Sequence, residues 1–284
     1  LYLGAMLGVV LGVFLVAPRM LVWIAGAKRM GDTPIRRELE ALAAELGVRY
    51  RTIRIWPSGG AVANAAVMGL VGRFRYILVS DSLLRQFTPP QIRAVFGHEL
   101  GHVRQHHILH LTLCMISMSL WATLGAAGLW AGLVRVGASD ALVASFGSAA
   151  EAEGVLMLGL MVLLLLVVLG RVSRLFERQA DMEGAYCASH PDGVDLSDDS
   201  ITDCGAQGFA DALEHLAWAN AIPLDRHEFR HGSLGSRIDY LISQSRTEHS
   251  LTKLSRQVRL VKRLIALALV VGAGLMIWMW RVSG

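Results

Sequence analysis

A glutamate between two histidines is the part of this sequence best equipped for chemistry. His98 and His102 stand four residues apart, and Glu99 directly follows the first of them, in the string HELGH. On an α-helix, residues at positions i and i+4 lie on one face, so both imidazoles can reach a single ion. Neutral imidazole is a good ligand for Zn²⁺, which lowers the pKa of a bound water to about 7. The pattern therefore predicts one zinc ion per chain, with Glu99 as the base that takes a proton from that water.

A catalytic zinc ion requires a third protein ligand, for which Glu177 is the candidate. Two uncharged apolar segments separate Glu177 from His102, and a chain that crosses a membrane out and back returns to the side it left. We therefore expect Glu177 to emerge beside the helix that carries the histidines. Asp181 follows one helical turn later and could accept a hydrogen bond from the free N–H of a ligand histidine. Glu183 is a weaker substitute for Glu177 as the third ligand.

Other interpretations of these residues stay open. Glu177 and Asp181 could instead form a solvated helix face that is paired with Arg174 and Arg178. His106 shares a helix face with the two histidines of HELGH, although one straight helix cannot easily curl three imidazoles around one ion. We favour an interfacial position near lipid headgroups for the three histidines that follow HELGH, which are His106, His107 and His110.

Composition and hydropathy place much of the chain in a membrane. Of the 284 residues, 54% are hydrophobic and 18% are charged, with a mean hydropathy of +0.46. Soluble domains carry about 25% charged residues, so a purely water-soluble or disordered protein is excluded. A membrane span needs roughly 20 apolar residues. Four uncharged runs come close to that length, namely residues 1–18, 111–134, 154–170 and 264–280.

Charge and cysteine content exclude two further classes of protein. A net charge of +4 from scattered basic residues does not indicate a nucleic-acid binder. Three cysteines without the short spacings of zinc knuckles or redox motifs make a disulfide framework unfavourable.

Basic residues near the apolar runs indicate that both long polar segments face the cytoplasm. These residues are Lys28, Arg29, Arg104, Arg171, Arg174, Arg178, Lys262 and Arg263.

The order of apolar and polar segments predicts a mainly α multi-pass membrane protein with a small β-sheet and about four transmembrane helices. The predicted segments are an N-terminal transmembrane segment (1–28), a cytoplasmic part with the HELGH helix (29–110), a transmembrane hairpin (111–170), a second cytoplasmic part with the third ligand (171–263) and a C-terminal transmembrane segment (264–284). Helices are predicted over 35–46, 171–188, 208–220 and 233–245, and strands over 50–56, 61–72 and 73–80. A further helix is expected to start at Gln91 and to continue through His107 toward the second span.

Several motifs together resemble one family. The chain is similar to the HtpX-type membrane metallopeptidases and their relatives, the CAAX prenyl proteases. The resemblance covers roughly residues 30–245 and follows the family order of motifs. These are NAA at 64–66, RYILVSDSLL at 75–84, HELGH at 98–102, ERQAD at 177–181 and HGSLGSRI at 231–238.

This resemblance implies a gluzincin-like zinc peptidase domain, with zinc bound by His98, His102 and Glu177 and with Glu99 as the base. It further implies that two residues of the last motif stabilise the oxyanion formed during peptide hydrolysis. These two residues are His231 and Arg237. The family usually has proline after this histidine, whereas the present chain has Gly232.

The expected function is that of a membrane zinc endopeptidase in a bacterial inner membrane, with its active site facing the cytoplasm. Its partners would be a peptide or membrane-protein substrate and the lipid bilayer, with no nucleic acid. An extended substrate would pair with an edge strand in the region from Asn64 to Ser80. Three alternatives are a CAAX prenyl-protein endopeptidase with a large intramembrane chamber, a receptor-linked signalling peptidase with an extracellular sensor domain, and a non-enzymatic metal-binding scaffold.

Overall fold

The computed structural model describes residues 12, 16–194, 200–245 and 250–283. The fold is mainly helical, with one small mixed sheet. The chain divides into two compact units. One comprises Leu1–Ile108 with Phe176–Arg256, and the other comprises Leu109–Leu175 with Gln257–Gly284. The first predicted span, residues 1–18, lies largely outside the described residues.

The sheet belongs to the first unit and has the order β1-β2-β4-β3. Its strands are β1 (Lys28–Arg29), β2 (Thr52–Trp56), β3 (Ala65–Met68) and β4 (Tyr76–Ser80). The apolar strand β4 is buried along its whole length, pairs in parallel with β2 and pairs antiparallel with β3. The predicted strands are confirmed with shorter bounds. Within the described part of the chain, β3 pairs with β4 alone, so its outer side is a sheet edge.

Ten α-helices lie after residue 24 in the described part of the chain. They are α1 (Pro34–Glu45), α2 (Asp81–Gln86), α3 (Pro89–Arg104), α4 (His107–Arg135), α5 (Ser139–Phe146), α6 (Ala149–Leu164), α7 (Gly170–Ser189), α8 (Asp203–Ala219), α9 (Leu234–Ser245) and α10 (Ser250–Ser283). Residues 16–24 are also helical. The start of α3 is set by its sequence, because Thr88 and Gln91 form a capping box and two prolines occupy the first turn.

The helix that carries HELGH is shorter than predicted. The expectation that it continues through His107 is wrong, since α3 ends at Arg104 and α4 begins at His107. Between them, His106 adopts a φ of 55° in the left-handed region, which commonly ends a helix. The exposed side chain of His106 therefore does not continue the helix face of His98 and His102.

Three helices among the described residues are long and apolar enough to cross a membrane. They span His107–Arg135, Ala149–Ser189 and Leu251–Val282. The predicted spans 111–134, 154–170 and 264–280 fall inside these helices. A five-residue π-helical segment, Leu165–Leu169, joins α6 to α7.

A glycine allows α3 and α7 to approach each other closely. A Cβ atom added to Gly97 would lie 2.7 Å from both Cβ and Sγ of Cys187 on α7. Real side chains do not pack at such distances, so any larger residue at position 97 would push the helices apart. This close approach places the carboxylates of α7 against the histidines of α3.

Candidate active site

Helices α3 and α7 bring together the two histidines of HELGH and Glu177. The Nε2 atoms of His98 and His102 lie 3.2 Å apart. The Glu177 carboxylate oxygens lie 3.7 Å from the first of these nitrogens and 3.6 Å from the second. Zinc–nitrogen bonds of about 2.0–2.1 Å in a tetrahedral site place ligand atoms roughly 3.3 Å apart. The three side chains therefore converge at distances that suit one tetrahedral ion.

The environment of Glu177 provides a test of whether a metal fits here. The side chain is buried, and its Oε2 atom has no hydrogen-bond partner within the described parts of the chain. A buried carboxylate oxygen without a partner is costly, and a divalent cation would compensate it. Two imidazoles and one carboxylate are a donor set typical of catalytic zinc. The residues at this site fit a zinc ion.

Asp181 supports His98 from the side away from the other ligands. Its Oδ1 atom lies 2.9 Å from Nδ1 of His98, as expected for a group that orients a ligand histidine. Asp181 is fully buried and holds the Arg237 guanidinium, which donates from Nε at 2.9 Å and from Nη2 at 2.6 Å. This bidentate pair fixes the carboxylate in place. The described hydrogen bonds of Arg237 thus go to Asp181, and its role toward an oxyanion stays a prediction.

Burial lowers the pKa of a histidine, whereas a nearby carboxylate raises it. Burial lowers the pKa of His98, but its contact with Asp181 outweighs this effect and raises the pKa overall. Burial holds the pKa of His102 well below its usual value. His102 is therefore neutral, which is the state that binds a metal ion. Burial also opposes the charge of Arg237, yet Asp181 raises the pKa of its guanidinium.

Glu99 lies at the junction between the zinc-ligand cluster and the sheet edge. Its Oε2 atom accepts a hydrogen bond from the backbone N–H of Val67 on β3 at 3.2 Å. Burial raises the pKa of Glu99. A carboxyl group whose pKa is raised is better suited to take up and release a proton near neutral pH.

The site opens into a cleft of about 560 Å³. Its walls include His98, Glu99 and the segment 61–66 before and within β3. Asn64 directly precedes β3, and its side chain accepts from the N–H of Ala65 at 2.9 Å. Of the region 64–80 in which an edge strand was predicted, only β3 lies at the edge of the described sheet, because β4 lies between β2 and β3. Substrate binding along this edge stays a prediction.

Asn220 is a cleft residue that the sequence analysis did not single out. Its side-chain amide makes two hydrogen bonds of 2.9 Å with the backbone of Ala63, one to the N–H and one to the carbonyl. The amide therefore pairs with this segment as a neighbouring strand would. Asparagine at the end of a helix is usually interpreted as a cap, so the sequence offered no signal for this contact.

His231 reaches the cluster from a tight loop. Its Nδ1 atom lies 3.0 Å from Oε1 of Glu177, and its side chain is 42% exposed. Glu228 and Gly232 close the loop through two backbone hydrogen bonds, of 3.1 Å and 2.8 Å. Gly232 has a φ of 75° and donates one of them. Proline is locked near −65° and has no N–H, so this loop requires a residue other than the family's usual proline.

The interpretation of His107 as an interfacial histidine is wrong. Its side chain is fully buried and stacks on Phe176 with ring centroids 4.4 Å apart. One ring nitrogen lies 2.9 Å from Nδ1 of His102, and the other lies 2.9 Å from Oε1 of Gln179. The turn at His106 produces this placement, and a straight helix would have directed His107 elsewhere.

Two further alternatives for α7 are excluded by geometry. Glu183 does not join the zinc-ligand cluster, because its carboxylate accepts hydrogen bonds from Arg104 and Gln105, each at 2.9 Å. Glu177 and Asp181 do not form a solvated face, because their side chains are 4% and 0% exposed. Their carboxylates face the histidines of α3 instead of solvent.

Comparisons with known proteins agree with this architecture. Residues 30–198 match the model of Peptidase family M48. "Protease HtpX" of Stutzerimonas stutzeri is 35% identical over 75 residues, which are 26% of this chain and 25% of that protein. "Probable CAAX prenyl protease 1" of Schizosaccharomyces pombe is 29% identical over 181 residues, which are 59% of this chain and 36% of that protein. The chain thus covers well under two thirds of these relatives.

A solved structure has a similar fold. The crystal structure of S. mikatae Ste24p superposes with a TM-score of 0.58 at 19% identity. The similarity covers 84% of this chain and 57% of that chain. At this level of identity, the comparison shows the fold alone.

Proposed function

Because the chain belongs to peptidase family M48, we propose that it is a membrane-embedded zinc metalloendopeptidase. One observation carries the proposal. His98, His102 and Glu177 converge, and two of them, His98 and Glu177, line an open cleft together with Glu99. The family membership supports peptide-bond hydrolysis, and the donor set supports zinc.

In this proposal, each residue has a separate task. Bound zinc, held by His98, His102 and Glu177, would supply a Lewis acid that lowers the pKa of water. Glu99 takes the proton of the attacking water and delivers it to the leaving amine. His231, partly exposed beside Glu177, is positioned to stabilise negative charge that develops on the substrate carbonyl.

We propose that substrate binds along the edge strand β3. An extended peptide can add to a free sheet edge through main-chain hydrogen bonds. The N–H of Val67 donates to a carboxylate oxygen of Glu99, which lines the cleft, so this backbone group faces the side of β3 on which substrate would bind. A substrate carbonyl that replaces this contact would release Glu99 for proton transfer at the adjacent bond.

The membrane setting suggests the class of substrate. Three of the described helices are long and apolar enough to span a bilayer, and basic residues flank the apolar runs. We infer a bacterial inner membrane with the site on its cytoplasmic side. Membrane-associated or misfolded proteins are the substrates that such a position favours.

The test is Glu99→Gln, compared with the wild type for zinc content and casein cleavage in detergent. The variant should keep one zinc per chain and lose cleavage, because glutamine cannot take the proton. Glu183→Gln is a matched control that should retain both properties. Undiminished turnover by Glu99→Gln would refute the role of Glu99. A zinc-loaded wild type as inactive as the variant would favour the metal-binding scaffold.

A second candidate function is prenyl-protein processing, which the match to the S. pombe protein favours. It predicts that a farnesylated CAAX peptide is cleaved in preference to the same peptide without the lipid. Equal cleavage of both peptides, together with cleavage of casein, would support the broader endopeptidase.

A further inference from the structure

The two ligand histidines have different kinds of support. Behind His98 stands the carboxylate of Asp181, which is itself held by Arg237. Behind His102 stands His107, whose other ring nitrogen contacts Gln179. The second arrangement has no assigned role in the proposed function.

We propose that His107 is a positioning residue that sets the tautomer and ring orientation of His102. This inference rests on the proposed zinc-binding role of His102. It assigns His107 no contact with substrate or with the ion. His107 acts only through the hydrogen bond that it makes with the ligand.

The direction of the hydrogen bonds follows from Gln179. Its side-chain oxygen lies 2.9 Å from Nε2 of His107, and its side-chain nitrogen donates to Oγ of Ser255 at 3.4 Å. An amide oxygen can only accept, so His107 carries its proton on Nε2. A neutral His107 then accepts at Nδ1, and a zinc-bound His102, whose Nδ1 carries a proton, requires such an acceptor.

The same logic extends to the metal ligand. In this arrangement Nδ1 of His102 donates to Nδ1 of His107 across 2.9 Å. This leaves the Nε2 lone pair of His102 free. That atom is the one that lies 3.2 Å from Nε2 of His98 and 3.6 Å from Glu177. The tautomer selected by His107 is therefore the tautomer that can bind zinc.

Packing holds the positioning residue in one orientation. The rings of His107 and Phe176 are nearly parallel, with an interplanar angle of 9°, and no part of His107 is exposed. A ring confined in this way does not flip to present its other nitrogen. Outer partners of this kind typically contribute about 10–100-fold to metal affinity.

The experiment measures zinc affinity by chelator competition in detergent for wild type, His107→Phe and His107→Gln. Phenylalanine keeps the ring stacking but removes the acceptor, so zinc binding should weaken about 10–100-fold. Glutamine offers an amide oxygen as acceptor and should restore most of the affinity. Unchanged affinity in His107→Phe, or equal losses in both variants, would overturn the inference.

A second measurement does not depend on any variant. In wild-type protein labelled with ¹⁵N-histidine, the spectrum of zinc-free His102 should show a proton on Nδ1. A proton on Nε2 would overturn the inference. A wild type that binds no zinc would contradict the proposed function itself, whereas a zinc-loaded, active wild type with a tight-binding His107→Phe variant would contradict only the role of His107.

Discussion

The carboxylate of Glu99 accepts a hydrogen bond from the backbone N–H of Val67 at 3.2 Å. This contact joins the proposed catalytic base directly to the edge strand proposed to bind substrate. A peptide that pairs with β3 would compete with Glu99 for the same N–H. Substrate binding and release of the base are therefore expected to be coupled.

Removing the third ligand should abolish stable zinc binding. Glu177→Ala leaves only two protein ligands, so affinity should fall by more than about 100-fold, beyond the loss typical of outer-shell variants. Metal content after dialysis in detergent measures this. Glu183→Gln, on the same helix, is the control and should retain one zinc per chain. Equal zinc content in the Glu177→Ala variant and the wild type would exclude Glu177 as a ligand.

Substitution of Asp181 or Arg237 should lower the affinity for zinc, because the pair supports the zinc ligand His98. Asp181→Asn removes the charge that supports His98 and should weaken zinc binding about 10–100-fold. Arg237→Lys keeps a cation but loses the bidentate geometry, so a smaller loss is expected. Chelator competition measures both. If Arg237→Lys instead lowers kcat at full zinc occupancy, Arg237 acts on the oxyanion.

The loop that carries His231 should not tolerate proline at position 232. Gly232→Pro removes the donor of a 2.8 Å hydrogen bond to Glu228 and cannot adopt a φ of 75°. We expect lower kcat with unchanged zinc content, because the ligands lie on α3 and α7. Gly232→Ala retains the donor and should have a smaller effect. Full activity in Gly232→Pro would show that this loop geometry is dispensable.

The contact between α3 and α7 should not tolerate a larger side chain at position 97. Gly97→Ala places a methyl group 2.7 Å from the Cys187 side chain, and overpacking of this kind costs about 1–3 kcal/mol. Thermal unfolding should occur at lower temperature, with weaker zinc binding because the ligands move apart. Gly208→Ala on α8 is the control, since its Cβ would meet nothing within 4 Å. Equal stability of both variants would contradict the close packing.

Part of the site could be predicted from the sequence, because it depends on local geometry. The i, i+4 spacing of His98 and His102 places both rings on one helix face wherever that helix lies. The apolar runs at 111–134, 154–170 and 264–280 are recognisable because a bilayer requires long uncharged segments. The two strands in the region 61–80 were also predictable, since strand patterns are local. Which of them lies at the sheet edge depended on strand pairing.

The remaining features depend on packing between segments that are distant in the chain. Glu183 and Glu177 are both acidic residues on α7, and only the contact with α3 determines which of them faces the histidines. His107 looked interfacial because a straight helix was assumed, and one left-handed residue at position 106 redirected its ring into the core. Sequence spacing specifies the faces of single helices. The partner that each face meets is decided by how the helices pack, which no local pattern encodes.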